Sequence, residues 1–199
     1  MKTCVIDLET SGLVPKGLTY ESDYMKFPWI YSIAWKINDE PAKEFIINQE
    51  GRIVSPEASK INGITQEMCN ASPHHLDSVL QELLADGYDA DYVIGHNLYF
   101  DTSIIKANVL KMFQEDQGFF NSITDLLHKD KRIDTMRAGI PLVGKWPKLT
   151  ELYKKLFRED FKSHSAGADC EACYRCYVKM VELDLIKYPA AKPVMADDI

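Results

Sequence analysis

The stretch that most constrains the fold is VIDLETSGL, Val5 to Leu13. A short apolar run leads straight into two carboxylates, Asp7 and Glu9, one residue apart, and then into a Thr-Ser-Gly turn. In a β-strand, residues i and i+2 project from the same face. Asp7 and Glu9 therefore share one face, and Leu8 turns into the opposite core. Two acids side by side at the end of a buried strand repel each other and are costly to desolvate without a cation between them. A divalent ion answers that cost, because hard cations take carboxylate oxygens. A strand whose acidic face is simply solvated answers it as well. The metal reading requires further carboxylates elsewhere in the chain.

The 199 residues, 46% of them hydrophobic, suit one compact domain over residues 1–187, followed by a loose tail over 188–199 that contains two prolines and an acidic end. Met1-Lys2-Thr3 runs directly into the first strand, and no apolar run reaches membrane-spanning length. Five cysteines do not form an even disulfide framework. These features lead to the expectation of a reducing, cytoplasmic setting with no membrane partner. With 30 acidic against 23 basic residues, the net charge is −7. That balance argues against coating long nucleic acids by counterion release. It leaves room for an enzyme that grips a few nucleotides through bound cations.

Along the chain, Val14 to Phe27 reads as an irregular loop at the mouth of whatever site the first strand makes. WIYSIAWKI (Trp29–Ile37) and EFIIN (Glu44–Asn48) join the first strand in an antiparallel meander. A helix follows Ser72-Pro73 and runs to Ala85, with Val79, Leu80, Leu83 and Leu84 on its apolar face. DYVIG (Asp91–Gly95) is a buried strand, and HNLYFD leads from it into a helix through Val109. Gln114 to Lys131 holds a further helix and loop, and Arg132 to Thr135 is a short strand. Leu149, Leu152, Tyr153 and Leu156 mark another helix, and the last helix enters at Ser163 or His164. The fold class is α/β: a five-stranded mixed sheet flanked by helices, with three antiparallel strands followed by two added through crossovers.

The later segments supply the missing acids. Asp101 closes GHNLYFD at a strand-to-helix junction, a common location for catalytic groups in α/β sheets. Asp169 lies about one turn into the last helix, five residues after His164. Taken singly, Asp101 could be a helix-start acid favoured by the dipole, and His164 an exposed residue near a cap. Asp134 reads as structural, and His96 as a local hydrogen-bonding residue that orients its loop.

VIDLETSGL, GHNLYFD and HSAGAD, in this order and at these spacings, resemble the three motifs of the DEDDh (proofreading-subunit-like) family of 3′→5′ exonucleases. The resemblance runs from about Thr3 to Leu185, and it implies a ribonuclease H-like fold. It further implies that Asp7, Glu9, Asp101 and Asp169 hold two Mg²⁺ or Mn²⁺ ions about 3.5–4 Å apart. His164 would be the general base that takes a proton from the attacking water. Thr10 would meet the terminal sugar, Leu13, Ile64 and Phe100 would pack on the last bases, and Asn97 would be a polar substrate contact. The implied substrates are single-stranded or frayed 3′ ends of DNA or RNA, and the implied partner is a polymerase or another replication or repair protein. A non-catalytic or RNA-trimming relative that acts as a docking or processing subunit is the alternative.

The chain departs from the family where Asn62 replaces the usual His of an HGIT turn, and where Val14–Phe27 lengthens the link after the first motif. Cys170, Cys173 and Cys176 form C-x2-C-x2-C, which on one helix spreads around the surface. They read as small core residues, with a metal or cluster role as the alternative. Lys145, Lys148, Lys154, Lys155, Arg158 and Lys162 either guide a phosphate backbone or form a solvated helix face.

Overall fold

The computed structural model describes residues 1–113 and 116–188. Strand β1 (Thr3–Thr10) is followed by the one-turn helix α1 (Tyr20–Asp23), then β2 (Ile30–Ile37) and β3 (Lys43–Ile46). Helices α2 (Pro56–Asn62), α3 (Gln66–Ala71) and α4 (Leu76–Gly87) lead to β4 (Tyr92–Gly95), α5 (Leu98–Met112), α6 (Gln117–Leu126) and β5 (Arg132–Asp134). The chain closes with α7 (Thr135–Ala138), α8 (Ile140–Val143), α9 (Leu149–Phe157) and α10 (Ala166–Glu182). The strand order is β3-β2-β1-β4-β5. β1 and β3 pair antiparallel to β2, whereas β4 pairs parallel to β1 and β5 parallel to β4. This is the mixed sheet expected from the sequence.

β1 lies at the centre of the sheet, and its alternation separates two cores. Cys4, Ile6 and Leu8 join the larger cluster, which the α4, α5 and α6 side chains complete. Val5 turns the other way and packs with Ala34 and Ile94 against Cys170, Cys173 and Cys176 of α10. The three cysteines are therefore buried core residues, as expected, but they share one buried face instead of spreading around the helix, and all five thiols are free. Cys170 Sγ lies 3.5 Å from the Val5 carbonyl. Lys145 and Lys154, from the basic stretch, form surface pairs with Glu151 and Asp160, which is the solvated-face arrangement.

Several expectations need correction. Val14–Phe27 is more than an irregular loop: it carries α1 and a 3-10 turn at Tyr24–Lys26. Val14, Leu18, Tyr20 and Tyr24 pack on the main core. This segment covers the outer side of α5, whose Lys106 and Asn108 are buried despite their polarity. Asn108 Nδ2 donates to the Pro28 carbonyl at 3.0 Å, and Lys111 Nζ donates to that of Phe27 at 2.6 Å. The helix expected from Ser72 begins at Leu76, because the Ser72 hydroxyl is tied to the Ile46 carbonyl at 2.5 Å. The last helix begins at Ala166, with Ser165 rather than Ser163 or His164 as its N-cap. Gln114 and Glu115, within the expected Gln114–Lys131 segment, lie outside the described residues, as does 189–199 of the expected tail. Tyr188, placed at the head of that tail, instead stacks near Tyr92 (5.1 Å between ring centroids) and shares a hydroxyl hydrogen bond with Tyr177.

One acid fastens the junction between the two parallel strands and α5. Asp134 accepts from the Asn97, Leu98 and Met136 amides at 3.1, 3.2 and 2.9 Å, and more weakly from Arg137 at 3.4 Å. Its role is structural, as the sequence suggested. Asp134→Ala should lower stability by about 2–3 kcal/mol, because several amides lose a charged acceptor. Asp134→Asn, which keeps one acceptor oxygen, should lose less. Urea unfolding of the two variants checks this; equal small losses would show that the amides find other acceptors.

Candidate active site

Antiparallel pairing places β1 so that its C-terminal end carries Asp7 and Glu9 past the last parallel partner. β4 pairs with β1 only as far as Val5, opposite Ile94, which leaves the acids beside the start of α5 and the first turn of α10. One oxygen each from Asp7, Glu9 and Asp169 lies within 4.8 Å of the others. Among the described residues this is the only cluster of three or more His, Cys, Asp or Glu side chains with metal-site spacing. Asp101, in the first turn of α5, is 5% exposed and lies outside that trio. Its charge is nevertheless the strongest of those acting on Asp7.

Electrostatics register the crowding. Burial raises the Asp7 pKa well above the usual carboxylate range, reinforced by Asp101, Asp169 and Glu9. Glu9 is pushed up to about 7 by burial and by the charges of Asp169 and Glu44, against a hydrogen bond from Asn62 that lowers it. Asp101 is raised by burial and by Asp134 and Glu9, while backbone amides oppose the shift. Asp169 is raised by burial and held back by the His164 amide, which donates to Asp169 Oδ2 at 3.0 Å. The other oxygen, Asp169 Oδ1, is buried with no hydrogen-bond partner. A buried acceptor without a partner amid repelling carboxylates fits a cation ligand. The all-oxygen donor set suits a hard divalent ion.

His164 is exposed and has a left-handed backbone, φ +79°. That turn delivers its amide to Asp169 and leaves its ring free at the start of α10. Thr10, Leu13 and Phe100 line one cleft of about 290 Å³ together with Glu9. Leu13 is 85% exposed at its rim, and the Thr10 hydroxyl is turned onto the Gly12 carbonyl at 2.8 Å. Ile64 is not with them: it lines a second cleft of about 340 Å³ that holds His164, Met68 and Glu44. Asn97 is exposed at the N-cap of α5 with φ +68° and makes no side-chain cap bond. His96 is not a locally bonded residue. Its ring spans to Thr135 Oγ1 at 3.0 Å and the Pro147 carbonyl at 2.9 Å, clamping β4 to distant loops, and burial lowers its pKa.

Two residues at this site were not among the sequence candidates. Asn62 borders both clefts; its Oδ1 accepts from the Ile64 amide at 3.0 Å, and its side chain hydrogen-bonds Glu9. Glu44 lies in register with Asp7 across Ala34, so it emerges on the same face of the sheet. The Ser165 hydroxyl bonds its two oxygens at 3.1 and 3.2 Å. Asn62 could have been found from its place in the NGIT turn. Glu44 had no local signal, since only the strand register brings it here.

The sequence profile of the RNase T exonuclease family matches residues 4–177. No curated protein sequence matches the chain. Solved structures share its fold. Exonuclease X in complex with 5′ overhanging duplex DNA is 20% identical, with a TM-score of 0.58, and 94% of this chain and 95% of that one are covered. Escherichia coli exonuclease I in complex with a dT13 oligonucleotide is 19% identical at a TM-score of 0.66 over 91% of this chain and 41% of that one. Schizosaccharomyces pombe Pop2p, in its Mg²⁺- and Mn²⁺-bound form, is 16% identical at a TM-score of 0.68 over 92% and 85%. The chain thus spans about two fifths of the length of exonuclease I. The shared architecture is ribonuclease H-like. With a family profile spanning most of its length and a carboxylate cluster at the end of its central strand, the chain belongs to the RNase T exonuclease family of the DEDD superfamily of 3′→5′ exonucleases.

Proposed function

We propose that the chain is a DEDDh-type, metal-dependent exonuclease that removes nucleoside 5′-monophosphates from single-stranded or frayed 3′ ends of DNA or RNA. The observation that carries this reading is the convergence of Asp7, Glu9 and Asp169 within 4.8 Å, with one Asp169 oxygen buried and unpartnered. Asp7, Glu9, Asp101 and Asp169 would hold two Mg²⁺ or Mn²⁺ ions, which when bound supply Lewis acidity to the phosphodiester. The metal-bound form of Pop2p and the oligonucleotide complex of exonuclease I support this reading.

The protein's own groups divide the remaining work. His164, exposed and anchored through its amide to Asp169, takes the proton of the attacking water near neutral pH. The water oxygen bonds to phosphorus, the P–O3′ bond breaks, and the 3′ oxygen leaves with the shortened strand. Thr10, Leu13 and Phe100 receive the terminal nucleoside in the first cleft. Ile64 contributes from the second cleft, and exposed Asn97 offers a polar contact.

With Mg²⁺ or Mn²⁺, the purified chain should shorten a 5′-labelled oligonucleotide stepwise, and chelation should stop it. Asp7→Asn should reduce kcat by about 10³-fold or more, a loss typical of removing transition-state charge stabilisation. His164→Ala should cost about 10²–10⁴-fold in kcat with little change in KM. Hydrolysis that survives Asp7→Asn, or no hydrolysis of any DNA or RNA oligomer with either metal, overturns the reading. Absence of divalent-ion binding by calorimetry would favour a docking subunit instead.

The raised carboxyls also predict how the metal-free protein responds to pH. Asp7, Glu9 and Asp169 bind protons more tightly folded than unfolded, so the folded state carries the excess of protons. Stability should fall as pH rises from about 4, where unfolded carboxyls titrate, through about 7, the folded value for Glu9. In chelator, Tm should drop across this window, by about 2–4 °C per kcal/mol of repulsion for a chain of this size. Glu9→Gln should flatten the slope, and Mg²⁺ or Mn²⁺ should abolish it. A Tm that is level or rising from pH 5 to 7.5 in chelator would contradict the electrostatic account.

A further inference from the structure

We propose that Glu44 reads the ribose 2′-hydroxyl of the nucleotide preceding the scissile phosphate, so that ribonucleotide at that position is preferred; this rests on the exonuclease reading above. Hydrolysis of a phosphodiester needs room for a nucleoside on each side of the phosphorus. The structure provides two clefts that share Asn62 as a wall, beside the carboxylate trio. The first, with Thr10 and Leu13, takes the terminal nucleoside. The second contains His164 and an apolar side formed by Ile46, Ile64 and Met68, which suits the sugar and base of the preceding nucleotide.

Glu44 is the anomaly of this second cleft. It is exposed, and its charge adds to the repulsion on Asp7, Glu9 and Asp169. A carboxylate in the path of a phosphodiester is unfavourable unless it meets a hydrogen-bond donor. An ionised carboxylate only accepts. The sugar of an internal deoxynucleotide has no hydroxyl, because its O3′ and O5′ are both esterified. The sugar of an internal ribonucleotide has one, the 2′-hydroxyl, which is also the group that separates RNA from DNA at a given site. Carboxylate acceptance of a ribose 2′-hydroxyl has a precedent in dinucleotide-binding folds.

The position of Glu44 is fixed for such a task. Its oxygens take the Ser165 hydroxyl at 3.1 and 3.2 Å, and the Ser32 hydroxyl lies 3.4 Å from Oε1. A Cβ added at Gly167 would stand 2.6 Å from Glu44 Oε2, so only glycine leaves the carboxylate in place over the first turn of α10. About four lone-pair sites serve a carboxylate, so the serines leave acceptor capacity open to a further donor. In the sheet, Glu44 stands two strands from Asp7 in the same row, about 10 Å across, the scale of one nucleotide beside a bound phosphate.

The test uses oligonucleotides of one sequence that carry ribose, deoxyribose or 2′-O-methylribose at the penultimate position, assayed with Mg²⁺ and with Mn²⁺. The wild type should remove the terminal nucleotide with a kcat/KM at least about tenfold higher for ribose than for the other two, the range of one hydrogen bond to a charged group. In Glu44→Ala that ratio should fall to within about twofold, and in Glu44→Gln, which keeps an acceptor oxygen, it should lie between. A ratio unchanged in Glu44→Ala, equal slowing on all three sugars, or no sugar preference in the wild type overturns the proposal while leaving the exonuclease reading intact. A wild type inactive on all three sinks both.

Discussion

Mutual repulsion among carboxylates is the condition that the end of the central strand is arranged to tolerate. Asp7 and Glu9 leave the central strand on one face, Asp101 arrives from the start of α5, and Asp169 from the first turn of α10. The two helical acids stand at the positive ends of their helices, where a negative charge is favoured. The His164 amide and the Asn62 side chain supply donors to Asp169 and Glu9. These partial compensations leave the Asp7 and Glu9 pKa values raised. The shortfall is the electrostatic counterpart of a divalent cation, and it links the fold to the chemistry of its family.

The same end is shaped by what lies behind it. Asp134 anchors the amides at the head of α5, and His96 clamps the end of β4 to Thr135 and the loop at Pro147. The Val14–Phe27 segment closes over the far side of α5, where the buried Lys106 stacks over the Tyr20 ring and the buried Asn108 donates its amide to the Pro28 carbonyl. Asp101 is thus mounted on a helix fixed at its head and along its length, while His164 is mounted on a single left-handed residue. Under the function proposed above, rigidly mounted acids would hold their spacing while the more exposed His164 would meet a substrate.

Much of this was legible in the sequence, and the reasons for the remainder are physical. The alternation of VIDLE shows which side chains share a face, a β-branched and aromatic run marks the second strand, and short apolar stretches mark the others. Asp101 and Asp169 were visible because each sits beside a structural punctuation, a strand end or a helix start. Glu44 was not, because a four-residue strand gives little pattern and its partner residues are set by cross-strand register. Ile64 fell into the second cleft because Gly63 turns with φ +73° just before it, which no periodicity reports. Val14–Phe27 looked irregular because its apolar residues are spaced for one-turn elements rather than for a long helix. His96 looked local because its two partners, Thr135 and Pro147, are distant in sequence.

The small side chains between α10 and the sheet have a consequence for geometry. Val5 and Ala34 on one side meet Cys170, Cys173 and Cys176 on the other, all of them fully or almost fully buried. This layer works as a shim. Its thickness sets how deep the helix lies, and so the height at which Asp169 faces Asp7 and Glu9. Because interiors are close-packed, added volume at a cysteine could be accommodated mainly by lifting the helix, and the error would appear at its first turn. The three cysteines thus act as dimensional parts of an oxygen-only centre that their sulfur atoms do not join.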